Sequence, residues 1–180
     1  PFTYSAQGVP QSGTSVQVDT IDSRLSVPVY RNGSIWVAHT VGTPSGKSTV
    51  RWYQINTTSG YSIAQQGDIS PNATDPYTFT PAIAVDNAGD MALTYTQSSA
   101  TQYPAMMFTG RKAADPLNTT QTPVVVKVSP ISSVGLRIDV NPNISRWGDF
   151  AGICSDPGTS ALFWARGDYA PGSPQRNPQT

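Results

Sequence analysis

Short runs in which apolar and polar residues alternate recur along the chain, and glycine, proline, asparagine or aspartate separates one run from the next. Alternation with a period of two places every second side chain on one face of a β-strand, and the separating residues favour tight turns. No segment has the period of an amphipathic helix. The pattern therefore predicts an all-β protein of antiparallel strands. The expected strands lie near residues 14–20, 25–30, 34–40, 48–54, 61–66, 81–86, 90–97, 104–110, 123–129, 150–155 and 160–166.

The composition supports this prediction because it is poor in strong helix formers. All 11 acidic residues among the 180 are aspartate, and lysine and leucine are scarce, so several strong helix formers are rare or missing. The acids balance 11 lysines and arginines, and no basic run or basic amphipathic stretch occurs. We therefore expect no nucleic-acid partner and no membrane-surface helix. No apolar run approaches the ~20 residues that a membrane span requires.

A weak internal repeat is found when Leu25–Thr40 is placed over Pro81–Thr96, at an offset of 56 residues. Both copies contain apolar alternation, a glycine turn and renewed alternation, and a third, shorter copy begins near Phe150. Two more strand-like segments follow each of the first two copies, which gives about four strands in each unit. Four-stranded antiparallel units that repeat in this way are typical of β-propeller blades.

The repeat predicts a division of the chain into five parts. These are an N-terminal segment with one strand (1–22), a first blade (23–70), a second blade (71–130), a partial third blade (131–169) and a tail rich in proline and glutamine (170–180).

Blade-like motifs occur at Pro81–Leu93, Phe108–Arg111, Arg146–Phe150 and Asp156–Trp164. They resemble blades of the secreted sialidase-like β-propellers of the BNR or Asp-box type. Ser155–Thr159 partly resembles the Asp-box turn of that family, with its aspartate one position early. The resemblance implies a propeller fold of antiparallel four-stranded blades, about two and a half of them here. Enzymes of this family use an arginine cluster, a tyrosine nucleophile activated by glutamate and an aspartate acid/base, and this chain has no glutamate.

Asn-x-Ser/Thr triplets are the strongest chemical signal in the sequence. Five of the eight asparagines begin one, whereas the serine and threonine content would place only one or two by chance. Each triplet falls in a predicted turn or loop, where a glycan can stay in solvent. The alternative is that asparagine occupies turns because it tolerates left-handed backbone conformations. The predicted glycosylation sites are Asn32, Asn56, Asn72, Asn118 and Asn143.

Four tryptophans are candidates for stacking on sugar rings, with packing inside a sheet protein as the alternative for most of them. One cysteine and one histidine give no basis for a zinc site. His39 lies in an alternating run and is predicted to be a structural strand residue, while Cys154 is predicted to be a small buried one. No catalytic residue, cofactor or metal ligand is assigned. The candidate stacking residues are Trp36, Trp52, Trp147 and Trp164.

Three short motifs admit both a functional and a structural interpretation. Gly42–Thr49 is similar to a phosphate-binding loop but misses its spacing by one residue and precedes a strand, which favours a hairpin turn. Arg166–Asp168 is the tripeptide of integrin ligands, although turn chemistry also accounts for it. Asp86–Asp90 offers oxygen atoms to calcium in a spacing that matches no complete calcium loop, and a hairpin turn explains it as well.

Together these features predict a secreted, glycosylated and non-enzymatic β-sheet module with a structural or adhesive role in an extracellular assembly. Its expected partners are covalent N-glycans and either copies of itself or the remainder of a longer chain, because an incomplete array of blades leaves sheet edges unpaired. The alternative is a fragment of a sialidase-like glycoside hydrolase or of a carbohydrate-binding propeller.

Overall fold

The computed structural model of the chain describes residues 8–70, 72, 74–135, 137–138, 141–159 and 162–172. Within these residues every regular element is a strand, so the prediction of an all-β protein is confirmed. No helix able to cross a bilayer occurs in this part of the chain. The strands are β1 (Gly8–Val9), β2 (Gln17–Asp19), β3 (Val29–Arg31), β4 (Ser34–Gly42), β5 (Ser48–Asn56), β6 (Ser62–Asp68), β7 (Tyr77–Val85), β8 (Met91–Ser99), β9 (Gln102–Arg111), β10 (Val124–Val128), β11 (Arg137–Ile138), β12 (Asn141–Ser145), β13 (Gly152–Ser155) and β14 (Phe163–Arg166).

Two sheets have the same topology and correspond to the two main copies of the repeat. Strands β3 to β6 form the first sheet, and strands β7 to β10 form the second; both are antiparallel and follow chain order. Strands β13 and β14 form a separate antiparallel hairpin at the third copy. The repeat therefore marks three successive units, each of which begins with a hairpin.

A fourth sheet joins the N-terminal segment to residues near 140, and the sequence did not predict it. Its strand order is β1, β2, β12, β11, and β2 pairs with β12 in parallel. The described part of the segment 1–22, residues 8–22, thus contains two strands rather than one, and the described residues of the region 131–169 are divided between this sheet and the β13–β14 hairpin. Alternation could not reveal β1 or β11, because each is only two residues long. Strand β12 contains proline and asparagine, which are typical of turns.

The main core lies between the first and second sheets. Trp36 and Trp52 of the first sheet stack with ring centroids 6.2 Å apart. The residues of the second sheet that pack in the same core are Ile83 and Val85 of β7, Met91, Leu93 and Tyr95 of β8, and Ala105 and Met107 of β9. The opposite face of the second sheet carries small buried residues such as Ala84 and Ala92, and β13 packs against β7. Strands β7 and β8 are therefore buried on both faces, whereas β10 at the edge of this sheet is exposed.

Polar contacts join the first two sheets at both of their lateral edges. Arg31, the last residue of β3, donates through Nη1 to Oδ1 of Asn87 at 2.8 Å and through Nε to the Val85 carbonyl at 3.2 Å. The loop after β9 reaches the outermost strand of the first sheet, where Oδ1 of Asn118 accepts a hydrogen bond from the Gln66 backbone N–H at 2.9 Å. This bond satisfies a backbone donor of an edge strand.

Candidate functional site

A cavity of about 340 Å³ lies where the first strands of the three units converge. Its walls come from the extended segment before β3, from the middle of β7 and from the start of β13. Each unit contributes an apolar side chain, namely Val29, Ile83 and Ile153. Small-molecule sites are typically concave, mostly apolar and about 300–1,000 Å³ in volume. The cavity meets these criteria, and we treat it as the candidate site.

Two β-branched residues of the cavity wall have left-handed backbone conformations, with φ of 64° at Ile21 and 50° at Thr80. Such conformations cost of order 1–3 kcal/mol each and concentrate at functional sites. A side chain holds each one in place: Asp19 Oδ1 accepts from the Ile21 N–H at 2.8 Å, and Thr40 Oγ1 accepts from the Thr80 N–H at 3.1 Å. The fold therefore imposes the shape of this wall. Sequence patterns missed it, because β-branched residues give no signal for positive φ.

The charged groups at the cavity are paired with one another. The Arg24 guanidinium donates to both carboxylate oxygens of Asp22, and this hydrogen bonding lowers the pKa of Asp22. Asp149 forms an ion pair with Arg146. By contrast, the buried hydroxyl of Thr80 has no hydrogen-bond partner among the described residues. The site thus combines apolar walls and compensated charges, and the Thr80 hydroxyl in its wall is shielded from solvent.

Two further carboxylates are influenced by the charge of Asp149, which lines the cavity. Burial raises the pKa of Asp19 and of Asp168, and the charge of Asp149 adds to both increases. The carboxylate of Asp168 lies so close to Gly148 that no Cβ would fit between them. No group of three histidine, cysteine or aspartate side chains in the described part of the chain is arranged to hold a metal ion.

We expect Asp19→Asn to leave the thermal midpoint at pH 7 unchanged or slightly higher. A carboxyl group whose pKa is raised on folding costs stability above that pKa, and the cost disappears as pH falls through it toward the ordinary value of 3.8. The advantage of the Asp19→Asn variant should therefore shrink on acidification. Thermal unfolding between pH 4 and 7 measures it. Asp19→Ala is the control, because it also removes the acceptor for Ile21 and should cost about 1 kcal/mol. Equal losses in both variants would contradict the prediction.

The four tryptophans occupy different environments. Trp36 and Trp52 lie in the main core, and Trp147 is buried with its Nε1 donating to Thr96 Oγ1 at 3.1 Å. These three rings are covered by protein and have no free face for a sugar. Trp164 is 64% exposed, and its Nε1 donates to Asp156 Oδ2 at 2.7 Å. Stacking on a sugar is therefore open only to Trp164.

All five asparagines of the triplets are exposed or half-buried, but their settings differ. Asn32 and Gly33 have φ of 50° and 73° and form the two-residue turn between β3 and β4. Asn72 lies in a turn, and Asn118 lies in the loop that reaches Gln66. Asn143 was expected in a loop and instead lies within β12, an element too irregular for sequence patterns to reveal.

The sites also differ in the burial of the third residue of the triplet. Ser34 and Ser145 are buried, so the hydroxyls of the triplets at Asn32 and Asn143 are covered in the folded chain. Asn56, at the end of β5, instead has Oδ1 accepting from both the amide and the hydroxyl of Thr58 at 2.9 Å. Because Oδ1 accepts both of these bonds, the side-chain Nδ2 of Asn56 points away from Thr58.

His39 makes contacts within the fold, whereas Cys154 lies at the surface. His39 is half-buried, with Nδ1 at 3.0 Å from the Ser23 carbonyl and Nε2 at 3.4 Å from the Tyr53 hydroxyl. Cys154 was expected to be buried and is exposed, because its side of β13 carries no covering sheet in the described residues. It lies directly across from Trp164 in the β13–β14 hairpin.

The three short motifs are engaged in internal contacts. Lys47 of the phosphate-loop-like segment is buried, and its ammonium donates to the carbonyls of Ser70 and Asn72. Gly167 of the integrin-type tripeptide packs on Met106, where a Cβ would be 2.8 Å from Cγ. In the calcium-like segment, Asp86 Oδ1 accepts from the Asp90 N–H at 2.9 Å. All three therefore have structural roles.

No family model, curated protein or solved structure matches this chain. The resemblance to sialidase-like propellers stays a prediction, and the cavity has to be interpreted from its own geometry.

Proposed function

We propose that this chain is a secreted, N-glycosylated and non-enzymatic β-sheet module with a structural or adhesive role in an extracellular assembly. The observation that carries the proposal is the succession of three units, in which each new hairpin packs on the sheet before it. In a β-propeller the blades follow one another in this way around an axis. We propose the same radial arrangement here, with the cavity on the side of the axis.

The β13–β14 hairpin supports an assembly larger than one chain segment. Cys154 pairs with Trp164 across this hairpin, as Ala84 pairs with Ala92 across the second sheet. The Ala84 side of the second sheet is buried under the next unit, whereas Cys154 and Trp164 are exposed. By this equivalence, the Trp164 side is the surface that a further sheet would cover. An exposed aromatic ring beside a strand edge that has no partner among the described residues favours association.

The glycosylation part of the proposal rests on number and position. Five triplets exceed the chance expectation, and each asparagine reaches solvent in the folded chain. Glycans there would not disturb the core. Attached sugars would also hydrate a surface that has few charged side chains, since charged residues make up 12% of the sequence.

The non-enzymatic part rests on the chemical inventory. The chain has no glutamate, so the usual activator of a sialidase-type tyrosine is missing from these residues. Both carboxylates at the cavity, Asp22 and Asp149, are paired with arginines. His39 is held by Ser23 and Tyr53. None of these groups is set up as an acid/base pair.

Mass spectrometry of the native protein, combined with sedimentation, tests the proposal directly. We expect glycan mass on at least some of the triplets, first at Asn56, Asn72 and Asn118, because the third residues of their triplets are not buried as Ser34 and Ser145 are. We also expect association into a particle larger than one chain of this length. Asn87, which begins no triplet, serves as the internal control and should carry no glycan. A stable, unglycosylated monomer of this length would refute the proposal.

A carbohydrate-binding propeller or a glycoside hydrolase fragment is the second candidate, and the cavity is the observation that favours it. A binding protein would show saturable sugar binding without turnover. An enzyme would release product from a glycoside, using residues from outside this segment. A purely structural module would do neither.

A further inference from the structure

We infer that two surfaces of this chain bind each other between copies, namely the outer face of the first sheet and the Trp164 side of the β13–β14 hairpin. The outer face is the side of β3 to β6 that is directed away from the second sheet. The inference rests on the self-association part of the proposed function and deepens it, because it names the second surface and the polarity of the contact. One copy contributes its sheet face and the next contributes its hairpin, so the association is head-to-tail.

The three units contain equivalent residue pairs in their first hairpins. These pairs are Val29–Trp36, Ala84–Ala92 and Cys154–Trp164. Each pair is directed to the side of the unit that follows: the first packs in the core that the second sheet completes, and the second is buried on the side where β13 packs. The third pair is exposed, and no sheet in the described part of the chain covers it. The hairpin therefore carries a surface for a following unit.

The first sheet carries the opposite surface. In the second unit, the next pair toward the turn is Val85–Met91, and it packs in the main core against the unit before it. The equivalent pair in the first unit is Tyr30–Ile35, which lies on the outer face. Tyr30 is 66% exposed and Ile35 is half-buried, so this pair is only partly covered. The outer face is therefore a surface for a preceding unit.

An apolar row crosses the outer face from one edge of the sheet to the other. It consists of Tyr30, Ile35, Ile55 and Ile63, which pair in succession across β3, β4, β5 and β6. The ion pair between Arg51 and Asp68 lies on the same face two rows away, so its charges are compensated and stand outside the apolar row. Exposed apolar bands of this kind are typical of surfaces that another protein covers.

The two surfaces fit each other better than either fits an unrelated partner. The hairpin exposes Trp164 and, two residues before it, Leu162. Neither these side chains nor the apolar row carries a charge, so contact between them buries no unpaired ion. Within the chain, the same combination of a following-unit side and a preceding-unit side already forms the main core. A second copy of this chain continues that internal interface, and we therefore assign it as the occupant of both surfaces.

Two variants block one surface each. Trp164→Asp places a carboxylate on the hairpin, and Tyr30→Asp places one on the outer face. Each should weaken self-association at least about tenfold, because association would bury an unpaired charge. Sedimentation equilibrium in reducing buffer measures the association, and circular dichroism verifies that each variant is folded. Val124→Asp is the matched control, since Val124 is 55% exposed on the edge strand β10 and belongs to neither surface.

An equimolar mixture of the two blocked variants tests the polarity of the contact. The Tyr30→Asp chain retains an intact hairpin and the Trp164→Asp chain retains an intact sheet face, so a single contact can form between them. We expect a 1:1 dimer in the mixture and monomers in each separate sample, because a head-to-tail contact uses two different surfaces. A mixture that stays monomeric would overturn the inference, as would self-association lost in Val124→Asp alone.

Failure of this inference and failure of the proposed function are separate outcomes. If the native protein associates but the blocked variants still associate as the native protein does, the contact lies elsewhere and the proposed function stands. If the native asparagines carry no glycan and the mixture nevertheless forms the 1:1 dimer, the head-to-tail contact stands and the glycosylated module is contradicted.

Discussion

Replacement of Trp52 by alanine is expected to lower the free energy of unfolding by about 3–5 kcal/mol, the range for large-to-small substitutions of buried aromatic residues. Trp52 is fully buried and stacks on Trp36 in the core between the first two sheets. Gly67 lies directly beside the indole, where a Cβ would stand 2.7 Å from Nε1. The backbone on that side is already in close contact with the ring, so the cavity left by alanine should collapse only partly.

Urea unfolding followed by circular dichroism measures this loss. Trp164→Ala removes the same side chain from an exposed position and should leave the unfolding midpoint nearly unchanged. If the two variants lost similar stability, the assignment of Trp52 to the core and of Trp164 to the surface would be wrong.

The second large effect is expected at Lys47, where substitution by methionine should cost about 2 kcal/mol. The Lys47 ammonium donates to the Ser70 and Asn72 carbonyls at 2.7 and 2.8 Å, and hydrogen bonds from charged groups contribute about 1.5–3 kcal/mol each. Burial opposes these bonds, because it penalises the charged ammonium, and this penalty lowers the pKa of Lys47. Methionine keeps the apolar stem, removes both hydrogen bonds and also removes this penalty, so the net loss is smaller than the sum of the two bonds.

Equilibrium unfolding of the Lys47→Met variant checks this value, and Lys112→Met is the matched control. Lys112 is exposed and forms an ion pair with Asp90, an arrangement that contributes little in water. If the Lys47→Met variant were as stable as the Lys112→Met variant, the hydrogen bonds from Lys47, just before β5, to the segment after β6 would not be needed for folding.

Much of the fold could be predicted because the long strands obey simple alternation. In β7, Ile83 and Val85 face the first sheet while Ala82 and Ala84 face away from it. Such an alternation can be recognised in a short stretch of sequence. The repeat was visible for the same reason. The sheet of β1, β2, β12 and β11 was not, because short strands are specified by their partners rather than by their own pattern.

The candidate site could be predicted less well. Alternation places Trp36 and Trp52 inside, but Trp164 is exposed because no sheet in the described part of the chain covers its side of the β13–β14 hairpin. The cavity is formed by segments from three units, and the left-handed conformation of Thr80 in its wall depends on a hydrogen bond to Thr40, which is 40 residues away in the sequence. Such tertiary relations have no counterpart in local sequence.

The polar contacts between the first two sheets have a mechanical consequence. Arg31 joins the first strand of one sheet to the turn of the next, and Asn118 joins the second sheet to the fourth strand of the first. A pulling force between these sheets would load the contacts at both edges and the core between them at the same time. The sheets should therefore resist separation in shear rather than peel apart strand by strand, a property suited to a protein that bears tension between neighbours.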